Sequence, residues 1–322
     1  MSIQHVKHPI IIVIGPTASG KTDFSYELAK QVNGEIVNAD LGQFYTQLTI
    51  GVAKPEWQSH SIKAHLFDIL DQPKDFTVHE YAHQVRKVID NITQKGKTPI
   101  IVGGSLFYVK SLIFPTMPLI LDKNSNAATI VVEDIPQEQL WQELHEIDPQ
   151  RARNIHPNDG YRLRRALDIW NKTQTLPSLY SPQFSPEFPF LLVALNPDKR
   201  VLYERICSRT QMMLENGWLF EAQDLMGTTW EDFIESKGMI GYKEIFKWLN
   251  RKNEDEFDEL IERIQINTLQ YAKRQITFMK SFLKQIPTNN DTAIIFECDM
   301  AQDKEIVEAK RRFEELNVRL RN

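Results

Sequence analysis

Cysteine is nearly absent: Cys207 and Cys298 are the only two in 322 residues. They stand in no metal-ligand or redox spacing, which excludes a disulfide framework and a cysteine-based zinc site and fits a reducing compartment. Long apolar runs are missing too. The first, Ile10–Ile14, is five residues long and ends in a glycine loop. A membrane span needs ~20 apolar residues and a secretory signal a longer core than this, so a cytoplasmic location is expected. Positive charge is not in excess: 38 Lys and Arg against 43 Asp and Glu leave a net charge of −5. That weighs against nucleic-acid binding unless the basic footprint is local. There is no internal repeat, low-complexity tract or dimerisation signal, and a monomer is expected. The remainder, 42% hydrophobic and 25% charged, is a globular composition, long enough for one large domain or a domain with an insert.

Short buried-looking strands alternate with helical patterns in the first hundred residues. Ile10–Ile14 is continuous and apolar, as in a parallel strand covered on both faces. Thr22 to Val32 has helical periodicity, Glu35 to Asp40 reads as a strand ending in an acid, Val78 to Lys95 as a helix, and Thr98 to Gly104 as a strand ending in two glycines. Such alternation predicts βαβ units and a parallel sheet. After Pro115 the pattern changes. Pro118 to Ile130 is irregular, Gln137 to Asp148 and Gly160 to Asn171 are helical, and Thr175 to Pro189 reads as a connection. Phe190 to Leu195 then returns as a buried strand. Helices are predicted near 199–226 and 256–284, a last strand at Ala293 to Phe296 and a last helix at Ala301 to Leu320. The expected fold is thus an α/β, P-loop NTPase-like core with a parallel sheet flanked by helices, built from 1–118 and 188–322. A mainly helical insertion domain is expected at 119–187.

The chemistry starts at Gly15-Pro16-Thr17-Ala18-Ser19-Gly20-Lys21-Thr22, a full Walker A pattern between a strand and a helix. Glycines let backbone N–H groups converge on phosphate oxygens, and the helix N-terminus adds partial positive charge. Lys21 adds a full charge from what the sequence suggests is an exposed loop, and the Thr22 hydroxyl suits a Mg²⁺ ligand. The loop indicates phosphate without naming ATP or the reaction. Asp40 ends the second predicted strand and Gly103-Gly104-Ser105 another, so both should face the crevice at the carboxyl edge of the sheet, where ligands bind in such folds. The bland alternatives are a helix cap for Asp40 and a tight turn for the glycines.

These segments in order resemble the tRNA dimethylallyltransferase family. Carrying the resemblance are the spelling of the phosphate loop, Asn38 to Tyr45, Ile50-Gly51-Val52-Ala53-Lys54-Pro55, His65-Leu66-Phe67-Asp68 and Pro99 to Tyr108. Further matches are Asp148-Pro149, Ile155 to Asp159, Arg162 to Leu167, Ile240 to Glu244 and Gln270 to Thr277. There are departures. The family's serine after the acid is Leu41, its signature threonine is Val52, and polar positions of the family are Gly238 and Leu269 here. The Asp-Pro and arginine expected after the second glycine pair are not found in Asp122 to Thr129.

The resemblance implies transfer of a dimethylallyl group from dimethylallyl diphosphate to the exocyclic amine of the adenosine 3′ to the anticodon in tRNA. It implies that Asp40, Ser105 and Lys21 are catalytic, that Gly15 to Thr22 hold the diphosphate, and that Thr22 holds Mg²⁺. Asp40, Leu41, Gly42, Gln43 and Ser105 would meet the extruded base. Arg162, Arg164 and Arg165 in the insert, with Lys273 and Arg274, would contact tRNA; solvated helix faces are the ordinary alternative. His65 and His156 have no partner at metal spacing and are read as structural. Trp141, Trp170, Trp218, Phe220 and Trp248 are read as mainly helix-packing aromatics, of which one or two could stack on bases, and Lys310-Arg311-Arg312 as a solvated helix. The rivals are an adenylate isopentenyltransferase, a P-loop small-molecule kinase and a catalytically weakened RNA-binding relative. The arginine-rich insert argues against the first, and retained Lys21, Thr22, Asp40 and Ser105 against the last.

Overall fold

The computed structural model describes residues 8–115, 135–179, 183–251, 257–287, 290–299 and 302–321. The predicted irregular segment 118–130, including the 122–129 departure, lies outside them. Two compact units emerge, one drawn from Met1–Ile113 and Pro186–Asn322, the other from Phe114–Ser185.

The larger unit is a parallel α/β sheet of six strands among the described residues: β1 (Ile10–Ile14), β2 (Gly34–Asn38), β3 (Ala64–His65), β4 (Thr98–Gly103), β5 (Phe190–Leu195) and β6 (Ala293–Cys298), in the order β3-β2-β4-β1-β5-β6. Every residue of β1 and β5 is buried, as expected of central parallel strands with helices on both faces. Alternate side chains from β1, β2, β4 and β5 form one core with α1 (Lys21–Val32) and α12 (Asp303–Arg319). The helix α2 (Val78–Gln94) lies against β2 and β4. It starts at a capping box, with Thr77 and Glu80 each accepting from the other's backbone N–H.

Strand order decides where the site forms. β4, from later in the chain, inserts between β1 and β2. The register pairs Ile14 with Gly103 and Asn38 with Val102, so three neighbouring strands end level. Adjacent strands lie ~4.8 Å apart, which sets the phosphate loop, the glycine pair and Asp40 side by side. Gly103 permits this approach, because a Cβ there would lie 2.2 Å from the Ala39 carbonyl oxygen.

After β4 come α3 (Leu106–Ile113) and, past the smaller unit, α7 (Lys199–Glu215), α8 (Trp218–Leu225), α9 (Thr229–Lys237), α10 (Tyr242–Arg251) and α11 (Phe257–Leu283). The single helix predicted near 199–226 is two, broken where Gly217 takes φ 98°, a left-handed conformation that glycine adopts without penalty. Sequence periodicity did not reveal α3, α9 or α10, which are eight to ten residues long, near the lower limit for pattern recognition.

The smaller unit contains α4 (Leu140–Ile147), α5 (Pro149–Arg153) and α6 (Gly160–Thr173) around Leu140, Leu144, Ala152, Leu163 and Leu167. Its acidic motif residues are caps: Asp148 accepts from the backbone N–H groups of Arg151 (2.9 Å) and Ser178 (2.6 Å), and Asp159 from that of Arg162 at 3.1 Å. Among the described residues no helix is long and apolar enough to cross a membrane.

Candidate functional site

The phosphate loop leaves β1 at Gly15, where a Cβ would lie 2.7 Å from both the Leu195 carbonyl oxygen and the Ser19 hydroxyl. Ala18 and Gly20 have φ of 61° and 87°, the left-handed turns that bend the backbone before α1 starts at Lys21. Residues Thr17 to Thr22 line a cavity of about 1280 Å³. Gly15 and Pro16 are not among its lining residues.

Lys21 corrects a sequence expectation. It is 8% exposed, and its ammonium donates to the Pro16 carbonyl at 2.8 Å. Burial pushes its pKa down to about 8, with Arg209 adding to the fall and the charge of Asp40 opposing it. An ammonium partly stripped of water interacts more strongly with an arriving anion.

Asp40 stands two residues beyond β2. The Asn38 side chain holds the approach, accepting from the Asp40 N–H at 2.9 Å and donating to the Leu66 carbonyl at 3.0 Å. The Asp40 carboxylate accepts from the Gly104 N–H at 3.1 Å and from the Ser105 hydroxyl at 3.3 Å. Ser105 Oγ in turn accepts from the Leu41 N–H at 3.1 Å. Asp40 precedes a 3-10 turn, Leu41–Phe44, but its side chain makes no capping bond there. The capping alternative therefore does not account for this acid. Gln43 lines the same cavity, its Nε2 donating to the carbonyls of Val52 (3.3 Å) and Ala53 (3.2 Å).

Several residues of the site were not singled out from the sequence. Gln275 on α11 accepts from the Thr17 N–H at 2.8 Å and donates to the Gly104 carbonyl at 3.1 Å, tying the two glycine loops together. Arg209 on α7 donates to the Thr17 hydroxyl at 2.5 Å, and Arg205 to the Ser19 carbonyl at 3.2 Å. Both line the cavity. Their four-residue spacing on one helix face was the available signal. Burial and the charge of Asp40 hold the Tyr271 phenol protonated, its pKa well above the ordinary value.

The other named residues divide. Thr22, Leu41, Gly42 and Arg274 line the cavity, and Lys273 is exposed and does not. In the smaller unit Arg162 and Arg165 are exposed, whereas Arg164 is half-buried and donates to the Ile135 carbonyl at 3.2 Å. His65 bonds Glu35 at 2.7 Å, and His156 Nδ1 accepts from the Asn158 N–H at 3.2 Å. Trp218 is buried and packs, but Phe220 is 73% exposed on the opposite face of the two-turn helix α8 and is not one of the packing aromatics. The tail cations pair within α12, Arg311 and Arg312 both with Glu308.

A divalent cation at Thr22 fits this donor set. Among the described residues no cluster of three or more His, Cys, Asp or Glu could hold a metal by itself. Mg²⁺ commonly takes one or two protein ligands and completes its shell with water and phosphate oxygens, and the Thr22 hydroxyl beside the phosphate loop suits that mode.

The family model described as IPP transferase matches residues 43–282. A tRNA dimethylallyltransferase from Staphylococcus haemolyticus is 34% identical over 292 residues, 88% of this chain and 87% of that one. One from Staphylococcus saprophyticus is 36% identical over 290 residues, 87% and 91% of the two chains. Among solved structures, the full-length tRNA isopentenylpyrophosphate transferase from Bacillus halodurans is similar at 29% identity and TM-score 0.66, over 97% of this chain and 98% of that one. A eukaryotic dimethylallyltransferase acting on tRNA is similar at 26% identity and TM-score 0.77, over 96% of this chain and 77% of that one.

The depressed pKa of Lys21 carries a pH dependence. Below about 8 the ammonium is charged and available to an anion; above it the free site holds a neutral amine. After allowance for the titration of the ligand itself, affinity for inorganic pyrophosphate should fall above about pH 8 by up to ~10-fold per pH unit, because one proton is then taken up by Lys21 on binding. Calorimetric titration across the range measures this, and Lys21→Arg should flatten the alkaline limb.

Proposed function

Because the chain belongs to the IPP transferase family, we infer that it transfers a dimethylallyl group from dimethylallyl diphosphate to tRNA. The observation that carries the reading is the Asp40 carboxylate, fixed by Gly104 and Ser105 in the cavity that the phosphate loop lines. A kinase can also use a fixed acid beside a phosphate loop, but it would leave the family match over residues 43–282 as coincidence. A free adenine nucleotide as acceptor would leave the smaller helical unit without a task.

The acceptor is the exocyclic amine of the adenosine 3′ to the anticodon. That base leaves its stack to reach the cavity, at a cost of a few kcal/mol. The amine nitrogen forms a bond to the allylic carbon while the bond from that carbon to the diphosphate oxygen breaks, and the diphosphate keeps the electron pair. Asp40 takes the proton that the amine loses. Its two hydrogen bonds keep one carboxylate orientation, and Ser105 holds both the acid and the Leu41 backbone. The loop amides and Lys21 stabilise charge growing on the diphosphate, as preorganised donors do. Arg205 and Arg209 add positive charge on the same wall. Bound at Thr22, Mg²⁺ would supply further neutralisation of the diphosphate.

Incubating the purified protein with unmodified tRNA, dimethylallyl diphosphate and Mg²⁺, then weighing the nucleosides, tests the reading directly. The expected product is isopentenyladenosine at the position after the anticodon, formed without ATP. An ATP requirement would replace this reading with a kinase one.

Asp40→Asn should lower kcat by ~10²–10⁴-fold, the usual value of a positioned proton acceptor, with donor affinity almost unchanged. A parallel loss of donor affinity would assign Asp40 to support of the metal. Arg162→Ala with Arg165→Ala should raise KM for tRNA and reduce its salt dependence, since each phosphate contact contributes ~0.9 to the logarithmic slope. Arg164 is left intact because of its bond to Ile135. Unchanged KM for tRNA in that double variant would remove these arginines from the RNA interface.

A further inference from the structure

The turn at residues 49–54 borders the cavity. Within it the Ala53 N–H donates to the Ile50 carbonyl at 2.9 Å and the Lys54 N–H to the Thr49 carbonyl at 3.0 Å. The N–H groups of Thr49, Ile50 and Gly51 meet one carboxylate. Glu221 on α8 accepts from the N–H groups of Thr49 (3.0 Å), Ile50 (2.7 Å) and Gly51 (2.9 Å). The Tyr242 hydroxyl donates to the same carboxylate at 2.5 Å. Three successive N–H groups converging on an anion form a nest, and bonds to an ionised acceptor are about twice as strong as neutral ones. Gly51 makes the approach possible, because a Cβ there would lie 2.1 Å from Trp218 Nε1 and 2.4 Å from the Tyr242 ring.

The other side of the turn faces the site. The carbonyls of Val52 and Ala53 both receive the Gln43 Nε2. Two carbonyl oxygens at one end of an amide identify that end as the NH₂, so Gln43 presents its Oε1, an acceptor, in another direction. The Val52 side chain covers Gly42 so closely that a Cβ on Gly42 would lie 2.4 Å from it. Gln43 is also joined to the acid, its N–H donating to the Asp40 carbonyl at 3.2 Å. The place of the turn therefore sets both the aim of Gln43 and the wall at Gly42.

We propose that Glu221, which does not line the cavity, is a positioning residue for the acceptor: its grip on Thr49–Gly51 places the turn that aims the Gln43 amide. The proposal rests on the reading that the acceptor base meets the Asp40–Gln43 segment. Phosphate-loop geometry has no part in it, so the donor should be indifferent to Glu221.

The test uses the full chain with Glu221→Ala, Gln43→Ala and both together. Steady-state transfer to unmodified tRNA is measured beside calorimetric binding of dimethylallyl diphosphate. Glu221→Ala should lower kcat/KM for tRNA by ~10–100-fold, the scale of losing several charge-assisted bonds, with donor affinity unchanged. The double variant should be no worse than the weaker single, because both substitutions act through one turn. Additive losses, an equal fall in donor affinity, or wild-type efficiency in Glu221→Ala would overturn the proposal. If the alanine variant loses its cooperative melting transition, Glu221→Gln, of the same length but without the charge, carries the same comparison. A wild-type protein inactive on tRNA overturns the functional reading itself, an outcome visible before any variant is made.

Discussion

The Asp40 carboxylate is held by a backbone N–H from Gly104 and a hydroxyl from Ser105, and the rest of the site is arranged around that pair of bonds. They exist because β4 lies between β2 and β1 and ends level with both. A shift of one residue along β4 would turn alternate side chains to the wrong face and move the glycine pair out of reach. Gly103 then lets β4 meet the Ala39 backbone. Gln275 extends the same framework from Gly104 to Thr17. The acid and the phosphate loop are consequently parts of one hydrogen-bonded structure, not two loops that share a cavity.

Charge follows the same geometry. The chain is acidic overall, at −5, yet Lys21, Arg205, Arg209 and Arg274 all line the cavity. With Lys237 they make five cations against the three acids Asp23, Asp40 and Glu204 on the same lining, a local balance opposite in sign to the net charge. Burial carries a cost, since it lowers the pKa of both Lys21 and Arg209, and Asp40 offsets part of it for each. The acid thus has two electrostatic neighbours before any ligand arrives, and a diphosphate would replace much of that compensation. The second carboxylate, Glu221, meets three backbone amides and the Tyr242 hydroxyl.

Much of this architecture was legible in the chain itself. The phosphate loop, β1, α1 and the acid after β2 follow from local patterns: a continuous apolar run, glycines at fixed spacing and a 3.6-residue period. β5 occupies the predicted Phe190 to Leu195, because a fully buried parallel strand has an unmistakable composition. Local chemistry did not show the burial of Lys21, the exposure of Phe220 or the bond from Arg164 to the Ile135 carbonyl, since each depends on what other elements place beside it. The bonds from Thr17 to Gln275 and from Arg209 to Thr17 span 258 and 192 residues, and no window of sequence contains both partners. By itself, then, the sequence determined the central strands, the longer helices, the Walker A loop and the family the chain resembles. Tertiary structure alone decided which glutamine and arginines join the phosphate loop and which glutamate holds the turn at 49–51, because hydrogen bonds between distant segments exist only once strand order has brought those segments together.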